Sequence, residues 1–193
     1  MSPINSKNKG DEFEREIAQS ISKWWYGVDN TKIVRRTPGS GSFSDNHSAD
    51  MYSEIPGFPF SIECKHSKDW EWADLWKPAG GTLMDFWKQC VGEVVKGTIP
   101  MLVFKGNRTK VFAMFRDSDF YIPLNYSKYG EIIKLQDCFG QNATIVKFYE
   151  TLLSTKAWDW INRQHIPSYN DINEYVTRLH EASEFTKTQV RGK

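Results

Sequence analysis

The chain has few cysteines, no long apolar run and almost no net charge. Among its 193 residues are three cysteines, Cys64, Cys90 and Cys138. They are too few and too scattered for a disulfide framework, and none belongs to a CxxC or Cys/His pair with zinc spacing. A reducing, intracellular compartment is therefore expected. No stretch approaches the roughly 18 apolar residues of a membrane span, and the first residues form no apolar signal core, so no membrane association is expected.

The charge balance gives no direct sign of a polyanionic partner. Lys and Arg number 25 and Asp and Glu 24, for a net charge of +1, so no global basic field is present. This argues only weakly against DNA, because bound metal ions neutralise the carboxylates of a metal-dependent nuclease. Aromatic residues are abundant, at 15% with eight tryptophans. Such a surplus usually packs in a core or an interface, and less often stacks on bases.

Hydrophobic periodicity predicts a mixed sheet flanked by helices. A first amphipathic helix starts near Gly10, buries Phe13, Ile17, Ile21 and Trp24 at three- and four-residue steps, and ends at Gly27. A second is expected from Thr82 to Lys96, and helices again over 143–153 and beyond 158. Strands are expected at 31–36, 49–55, 58–64, 100–105 and 109–115, the last two joined by a bend at Gly106-Asn107, with one or two more in 119–139.

The most informative pattern is an acid followed, thirteen positions later, by Glu-x-Lys at the end of a β-prone run. Asp50 precedes Phe60-Ser-Ile-Glu-Cys-Lys65. Strand alternation places Glu63 and Lys65 on one face and Ile62 and Cys64 on the other. If the two strands pair, Asp50 and Glu63 meet at one edge of the sheet. With the Cys64 backbone carbonyl they form an oxygen-rich site suited to Mg²⁺ or Mn²⁺. The same spacing also arises in ordinary hairpins with surface acids, so both interpretations stay open on this pattern alone.

A third acid lies on the border of the apolar stripe of the first helix. Glu14 follows the buried Phe13, so its carboxylate can lean towards the same edge of the sheet. A solvated helix acid, or half of an ion pair with a basic neighbour, is the alternative.

Taken together, these motifs resemble the archaeal-type Holliday-junction resolvases of the PD-(D/E)xK nuclease superfamily. The resemblance covers roughly residues 9–115 and rests on the order and spacing of five elements, with Ala49 where the superfamily name has Pro. The elements are Lys9-Gly10-x-x-x-Glu14-Arg15, Arg36 with Gly39-Ser40-Gly41-Ser42, Asp50, Ile62-Glu63-Cys64-Lys65, and Gln89.

The resemblance implies a restriction-endonuclease-like mixed sheet and a role for each matched residue. Glu14, Asp50 and Glu63 are the implied metal-binding acids. Lys65 is implied to position or polarise the attacking water and to stabilise charge on the phosphate, and Gln89 to hold water or substrate. The implied cofactor is Mg²⁺, with Mn²⁺ able to substitute, and the implied products carry 5′-phosphates.

DNA contacts are expected around this site. The resemblance assigns Arg36 to the DNA backbone and Ser40 and Ser42 to a loop near the scissile phosphate. Arg35 and Lys68 are further expected phosphate contacts, although surface solubility explains each singly. The irregular segment 66–81 contains three tryptophans, Trp70, Trp72 and Trp76. Three alternatives stay open for them: a wedge at a DNA branch point, a dimer interface or a cover for the sheet.

The resulting expectation is a metal-dependent endonuclease selective for branched DNA, such as a four-way junction. It forms one nuclease domain over 1–193, with a core at about 9–115 and a C-terminal extension at 120–193 that ends in extra helices. Symmetric cutting of a junction requires two active sites related by a two-fold axis, so a homodimer is expected. A restriction or repair nuclease acting on duplex DNA is the alternative, and a non-catalytic DNA-binding module a third. The expected location is the cytoplasm, at the nucleoid, with a virus or mobile element open as the source.

Overall fold

A computed structural model describes residues 6–27, 33–37, 49–53, 58–68, 70–76, 81–120, 132–136, 138 and 140–157. Two α-helices lie in these ranges, α1 (Ser6–Tyr26) and α2 (Gly81–Gly92). A short 3₁₀ helix covers Trp72–Trp76 and a π-helical turn covers Phe148–Leu152. The strands are β1 (Val34–Arg36), β2 (Met51–Ser53), β3 (Phe60–His66), β4 (Ile99–Lys105), β5 (Phe112–Arg116), β6 (Ile132–Leu135) and β7 (Ala143–Lys147).

The strands form one mixed sheet in the order β1-β2-β3-β4-β5-β7-β6. Only β3 and β4 run parallel, and the chain passes between them through α2, as expected because parallel neighbours need a crossover connection. β2 and β3 pair antiparallel, with Met51 opposite Ile62. The α/β fold predicted from the sequence, with a mixed sheet flanked by helices, is thereby confirmed.

The helix α1 covers one face of the sheet. Phe13, Ile17 and Ile21 are buried as the periodicity predicts, and they belong to one core with Ile62 and Met101 of the sheet. Gly27, with a φ of 70°, donates its N–H to the Lys23 carbonyl at 3.0 Å and ends the helix. A left-handed glycine is a frequent helix terminator because it has no Cβ.

The helix α2 covers the opposite face. Leu83, Trp87 and Cys90 are buried there against Leu102 and Phe104 of β4. The helix stops at Gly92, four residues before the predicted end at Lys96. Glycine favours helix poorly, and Val94 and Val95 lie in the following irregular segment rather than on the buried stripe.

The largest difference from the predicted elements is over 143–153. The sequence predicts a helix, but Ala143–Lys147 is a strand that pairs with β5 on one side and β6 on the other. Thr144, Ile145 and Val146 are each no more than 1% exposed. A strand buried on both faces loses the alternation that distinguishes it from a buried helix. The sheet therefore continues beyond residue 115, and the helices predicted after 158 lie outside the described residues.

In the part of the chain that the structure describes, no helix is both long and apolar enough to cross a membrane.

Candidate active site

Asp50 is fixed to the edge of β3 by two hydrogen bonds. Its backbone N–H donates to the Ile62 carbonyl at 3.0 Å, and its Oδ2 accepts from the Cys64 N–H at 2.8 Å. The Asp50 carboxylate thus accepts the hydrogen bond that a backbone carbonyl of a paired strand would otherwise accept from Cys64, at the point where the pairing of β2 with β3 ends. Since N–H and C=O of one residue face the same neighbour in an antiparallel ladder, the Cys64 carbonyl lies on this edge too.

Glu63 and Lys65 form an ion pair on the face of β3 that α2 covers. Lys65 Nζ donates to Glu63 Oε1 at 2.6 Å, and the Glu63 side chain is only 6% exposed. Burial and the nearby charge of Asp50 raise the pKa of Glu63 to about 7, although the Lys65 ammonium opposes this. Burial lowers the pKa of Lys65, but its bond to Glu63 and the charges of Glu63 and Asp50 outweigh burial and raise it. Lys65 is therefore an ammonium at neutral pH.

Glu14 lies on α1, where the guanidinium of Arg36 holds it. Arg36 donates through Nε to Glu14 and through its terminal nitrogen to Asp11, the latter at 2.7 Å. Burial raises the pKa of Glu14, and the charge of Asp50 adds to this effect against the opposing bond from Arg36. The guanidinium predicted to contact DNA thus binds two carboxylates in this conformation.

The charge of Asp50 acts on both of the other predicted acids, because it raises the pKa of Glu14 and that of Glu63. Within the described ranges, no group of three His, Cys, Asp or Glu side chains converges closely enough to form a complete metal-ligand cluster. The donor set still fits a hard divalent cation at the Asp50–Glu63 pair. Two buried carboxylates repel one another here, and oxygen atoms are the ligands that Mg²⁺ prefers.

Helix α2 and the residue that follows it supply neighbours that the sequence motifs do not reveal. Lys65 Nζ lies 5.8 Å from the centre of the Phe86 ring, and the charge of Glu93 acts on both Glu63 and Lys65. Gln89 is exposed and donates to Glu93 Oε2 at 3.3 Å, so it is linked to the pair only through Glu93, whose charge acts on both members. Glu93 stands four residues after Gln89, and this helical spacing is the only sequence signal that links it to the site.

The cysteines near the site are packed thiols. Cys64 is 7% exposed and Cys90 is 3% exposed. Burial raises the pKa of both thiols, and the surrounding carboxylates raise it further. A neutral, buried thiol is a poor nucleophile, so the thiols of Cys64 and Cys90 are packing groups.

The predicted DNA contacts are described only in part. Ser40 and Ser42 lie outside the described residues. Thr37 and Ala49, the described residues on either side of their segment, are joined by a 2.6 Å hydrogen bond from Thr37 Oγ1 to the Ala49 carbonyl, and the Thr37 N–H donates to the Asp50 carbonyl at 2.8 Å. Arg35 is half-buried in β1 opposite Tyr52. Lys68 is exposed just after β3.

Two of the three tryptophans are structural. Trp70 is 5% exposed, and its ring centre lies 5.0 Å from that of Phe104, while Trp72 lies 4.8 Å from Phe112. They cover the α2 face of the sheet, which was one of the three alternatives. The Trp76 side chain lies outside the described part.

A mixed sheet between two helices, with Asp50 beside Glu63-x-Lys65 at one strand edge, is the arrangement of a PD-(D/E)xK nuclease. A family model described as "Phage putative PDDEXK endonuclease" matches residues 5–168, which is most of the chain, and the chain belongs to this family. No curated protein and no solved structure matches the chain. The superfamily resemblance read from the sequence is confirmed, and membership implies a nuclease with DNA as substrate. The resolvase subtype stays a prediction.

Proposed function

We propose that the chain is a divalent-cation-dependent endonuclease that hydrolyses DNA phosphodiesters at Asp50, Glu63 and Lys65 and leaves 5′-phosphates. The observation that carries the proposal is the Asp50–Glu63–Lys65 arrangement, in which Lys65 is bonded to the buried carboxylate of Glu63 and the charge of the buried Asp50 acts on both. A divalent cation bound there supplies the Lewis acidity that polarises a phosphodiester and lowers the pKa of water. Mg²⁺ is the proposed cation, with Mn²⁺ able to replace it.

The protein's own groups have distinct parts in this proposal. Asp50 and Glu63 would hold the cation, with the Cys64 carbonyl as a third oxygen on the same edge. Lys65 is held by Glu63 and stays protonated, so it offers positive charge to the phosphate oxygens as their charge grows. Glu14 would join as a ligand when Arg36 exchanges its carboxylate partner for a DNA phosphate. Gln89 would orient water or substrate from α2.

For the substrate we propose branched DNA, cut by a homodimer. The order of the five sequence motifs supports this, because it follows that of junction resolvases, and symmetric cutting requires a pair of sites related by a two-fold axis. We propose further that 1–193 forms a single domain that acts on DNA inside the cell. A restriction or repair activity on duplex DNA is the second candidate, since the same acids and lysine serve either substrate.

A cleavage assay with three labelled DNAs tests these points. Wild-type protein with Mg²⁺ is incubated with a four-way junction, a linear duplex and a single strand. Paired nicks in the junction alone support the resolvase, sequence-fixed cuts in duplex support the second candidate, and no cleavage with Mg²⁺ or Mn²⁺ contradicts the enzyme. Sedimentation free and on a junction tests the dimer, and a monomer in both states contradicts it.

Two variants test the residues. Asp50→Asn and Glu63→Gln remove one charge each with little change in shape, so both should abolish cleavage while DNA binding is kept. Asp85→Asn is the matched control, because Asp85 is exposed on α2. Mg²⁺ should raise the melting temperature of the wild type and of Asp85→Asn, and not of the two site variants. Full activity in either site variant contradicts the assignment.

A further inference from the structure

A basic pocket lies at the same end of the sheet as the candidate active site, on the opposite face. It has a volume of about 650 Å³, and its side chains come from the start of α1, the end of β3 and the turn between β4 and β5. None of the described lining residues is acidic. The four with basic side chains are Lys9, His66, Lys105 and Arg108.

The positive charge in this pocket converges on His66. Burial lowers the pKa of His66, and the charges of Lys105 and Lys9 lower it further, against the opposing hydrogen bonds with the Lys9 backbone and the Asn107 side chain. The Nδ1 atom of His66 is buried without a hydrogen-bond partner in the described structure. Lys105 Nζ lies 4.6 Å from the centre of the Phe13 ring and 3.7 Å from Glu16 Oε2. Glu16 also accepts from the Tyr149 hydroxyl at 2.6 Å, and its single negative charge offsets one of the pocket's positive charges, that of Lys105.

Arg108 has an unusual backbone conformation in the turn. Its φ is 60°, and it is the one residue other than glycine with a positive φ in the described part of the chain. Glycine or asparagine takes this conformation at lower cost. The turn itself is closed by other groups, since the Gly106 N–H donates to Thr109 Oγ1 at 2.8 Å. An exposed arginine at this position therefore costs stability without closing the turn, which points to a use for its side chain.

Short stretches of backbone connect the basic pocket to the candidate active site. Lys65 and His66 are consecutive, with Cα atoms about 3.8 Å apart and side chains on opposite faces. Lys9 precedes Glu14 by five residues on α1, a rise of about 7.5 Å. Phosphates of one strand recur about every 3.4 Å along the duplex axis, so a DNA strand that passes around this end of the sheet would bring further phosphates to the pocket.

We propose that this pocket, through Lys9, Lys105 and Arg108, binds a DNA backbone phosphate a few nucleotides from the cleaved one. The Asn107 amide offers a further hydrogen bond to phosphate oxygens. The proposal rests on the nuclease function proposed above. Its contacts go to the backbone, so they hold the DNA in register and carry no base preference.

The test is DNA binding by fluorescence anisotropy in the cleavage-inactive Asp50→Asn background, at several salt concentrations. Arg108→Gly removes the charge and suits the positive φ, so the melting temperature should be equal or higher while DNA affinity falls about tenfold. The slope of log K against log salt should become shallower by about 1, as for one lost phosphate contact. Lys105→Gln should weaken binding in the same direction.

The matched control is Lys110→Gln. Lys110 lies in the same connection between β4 and β5, but it pairs with Glu150 at 2.5 Å and does not line the pocket. Its affinity and salt slope should equal those of Asp50→Asn alone. Equal slopes for Arg108→Gly and Lys110→Gln overturn the proposal.

Two further arms separate this proposal from others. If inorganic phosphate raises the melting temperature of the wild type but Arg108→Gly binds DNA normally, the pocket takes a free anion and the DNA proposal is wrong. If the wild type cuts no DNA yet Arg108→Gly shows the lost contact, the nuclease proposal fails and the phosphate site stands. If the wild type cuts DNA and the slopes are equal, only the pocket fails.

Discussion

The Asp50 carboxylate accepts a 2.8 Å hydrogen bond from the backbone N–H of Cys64. The Asp50 side chain therefore has two effects. It satisfies the buried N–H of Cys64, and it places a negative charge beside Glu63. Mutations can separate the two effects. Asparagine keeps an oxygen acceptor and removes the charge, whereas alanine removes both.

The first prediction compares Asp50→Asn with Asp50→Ala. Both should be inactive, but the alanine variant should be less stable than the asparagine variant by about 1–3 kcal/mol, because the Cys64 N–H is left without an acceptor. Urea denaturation of both variants without metal measures the difference. Asp85→Asn and Asp85→Ala provide the control pair and should differ little. Equal stability of the two Asp50 variants would show that the hydrogen bond contributes nothing.

The second prediction concerns the pH dependence of stability. The pKa of Glu63 is about 7 in the folded protein against an ordinary value of 4.5, so the folded state binds more protons than the unfolded state between these limits. Stability in EDTA should therefore fall as pH rises from about 4.5 to 7. The contribution of this one group is on the order of 3 kcal/mol.

Glu63→Gln provides the comparison for this effect. The variant cannot ionise at this position, so its free energy of unfolding should fall less between pH 5 and pH 8 than that of the wild type. Added Mg²⁺ should reduce the loss at pH 8 in the wild type only. The same pH profile for both proteins would mean that Glu63 is not held in a raised-pKa environment.

The third prediction concerns Glu14 and Arg36. Arg36→Gln leaves a carboxylate that is only 13% exposed beside Asp50 without its cation, so it should destabilise the metal-free protein. Glu14→Gln with Arg36→Gln together should recover much of the loss. A double-mutant cycle in urea should give a coupling energy of about 1–2 kcal/mol. Additive single effects would exclude a stabilising pair.

The arrangement at Asp50 could be predicted from sequence because strand alternation and antiparallel pairing are local rules. They place Asp50 beside Glu63 and put Lys65 on the face of Glu63. The first helix was equally predictable from the period of Phe13, Ile17 and Ile21. These signals depend on residues that are close together in the chain.

Other features depend on packing between residues far apart in the chain, and such packing produces no local sequence pattern from which it could be predicted. Ala143–Lys147 is buried on both faces, so its sequence has no period that distinguishes strand from helix. The pairing of Arg36 with Glu14 joins residues 22 positions apart, and basic residues of this kind equally suit a DNA contact. Glu93 lies near Lys65 only because α2 crosses the sheet above β3.

The fourth prediction concerns Trp70, for which the sequence left open a DNA wedge, a dimer interface and a cover for the sheet. The ring is buried against Phe104 and Trp72, so Trp70→Ala should cost about 3–5 kcal/mol. Trp70→Phe should cost much less, because the ring packing is largely kept and the indole N–H that it removes is buried without a partner. Urea denaturation measures both costs. DNA affinity of the folded Trp70→Phe protein should match that of the wild type on junction and duplex alike. A loss of junction binding at unchanged stability would instead show that Trp70 contacts the branch point.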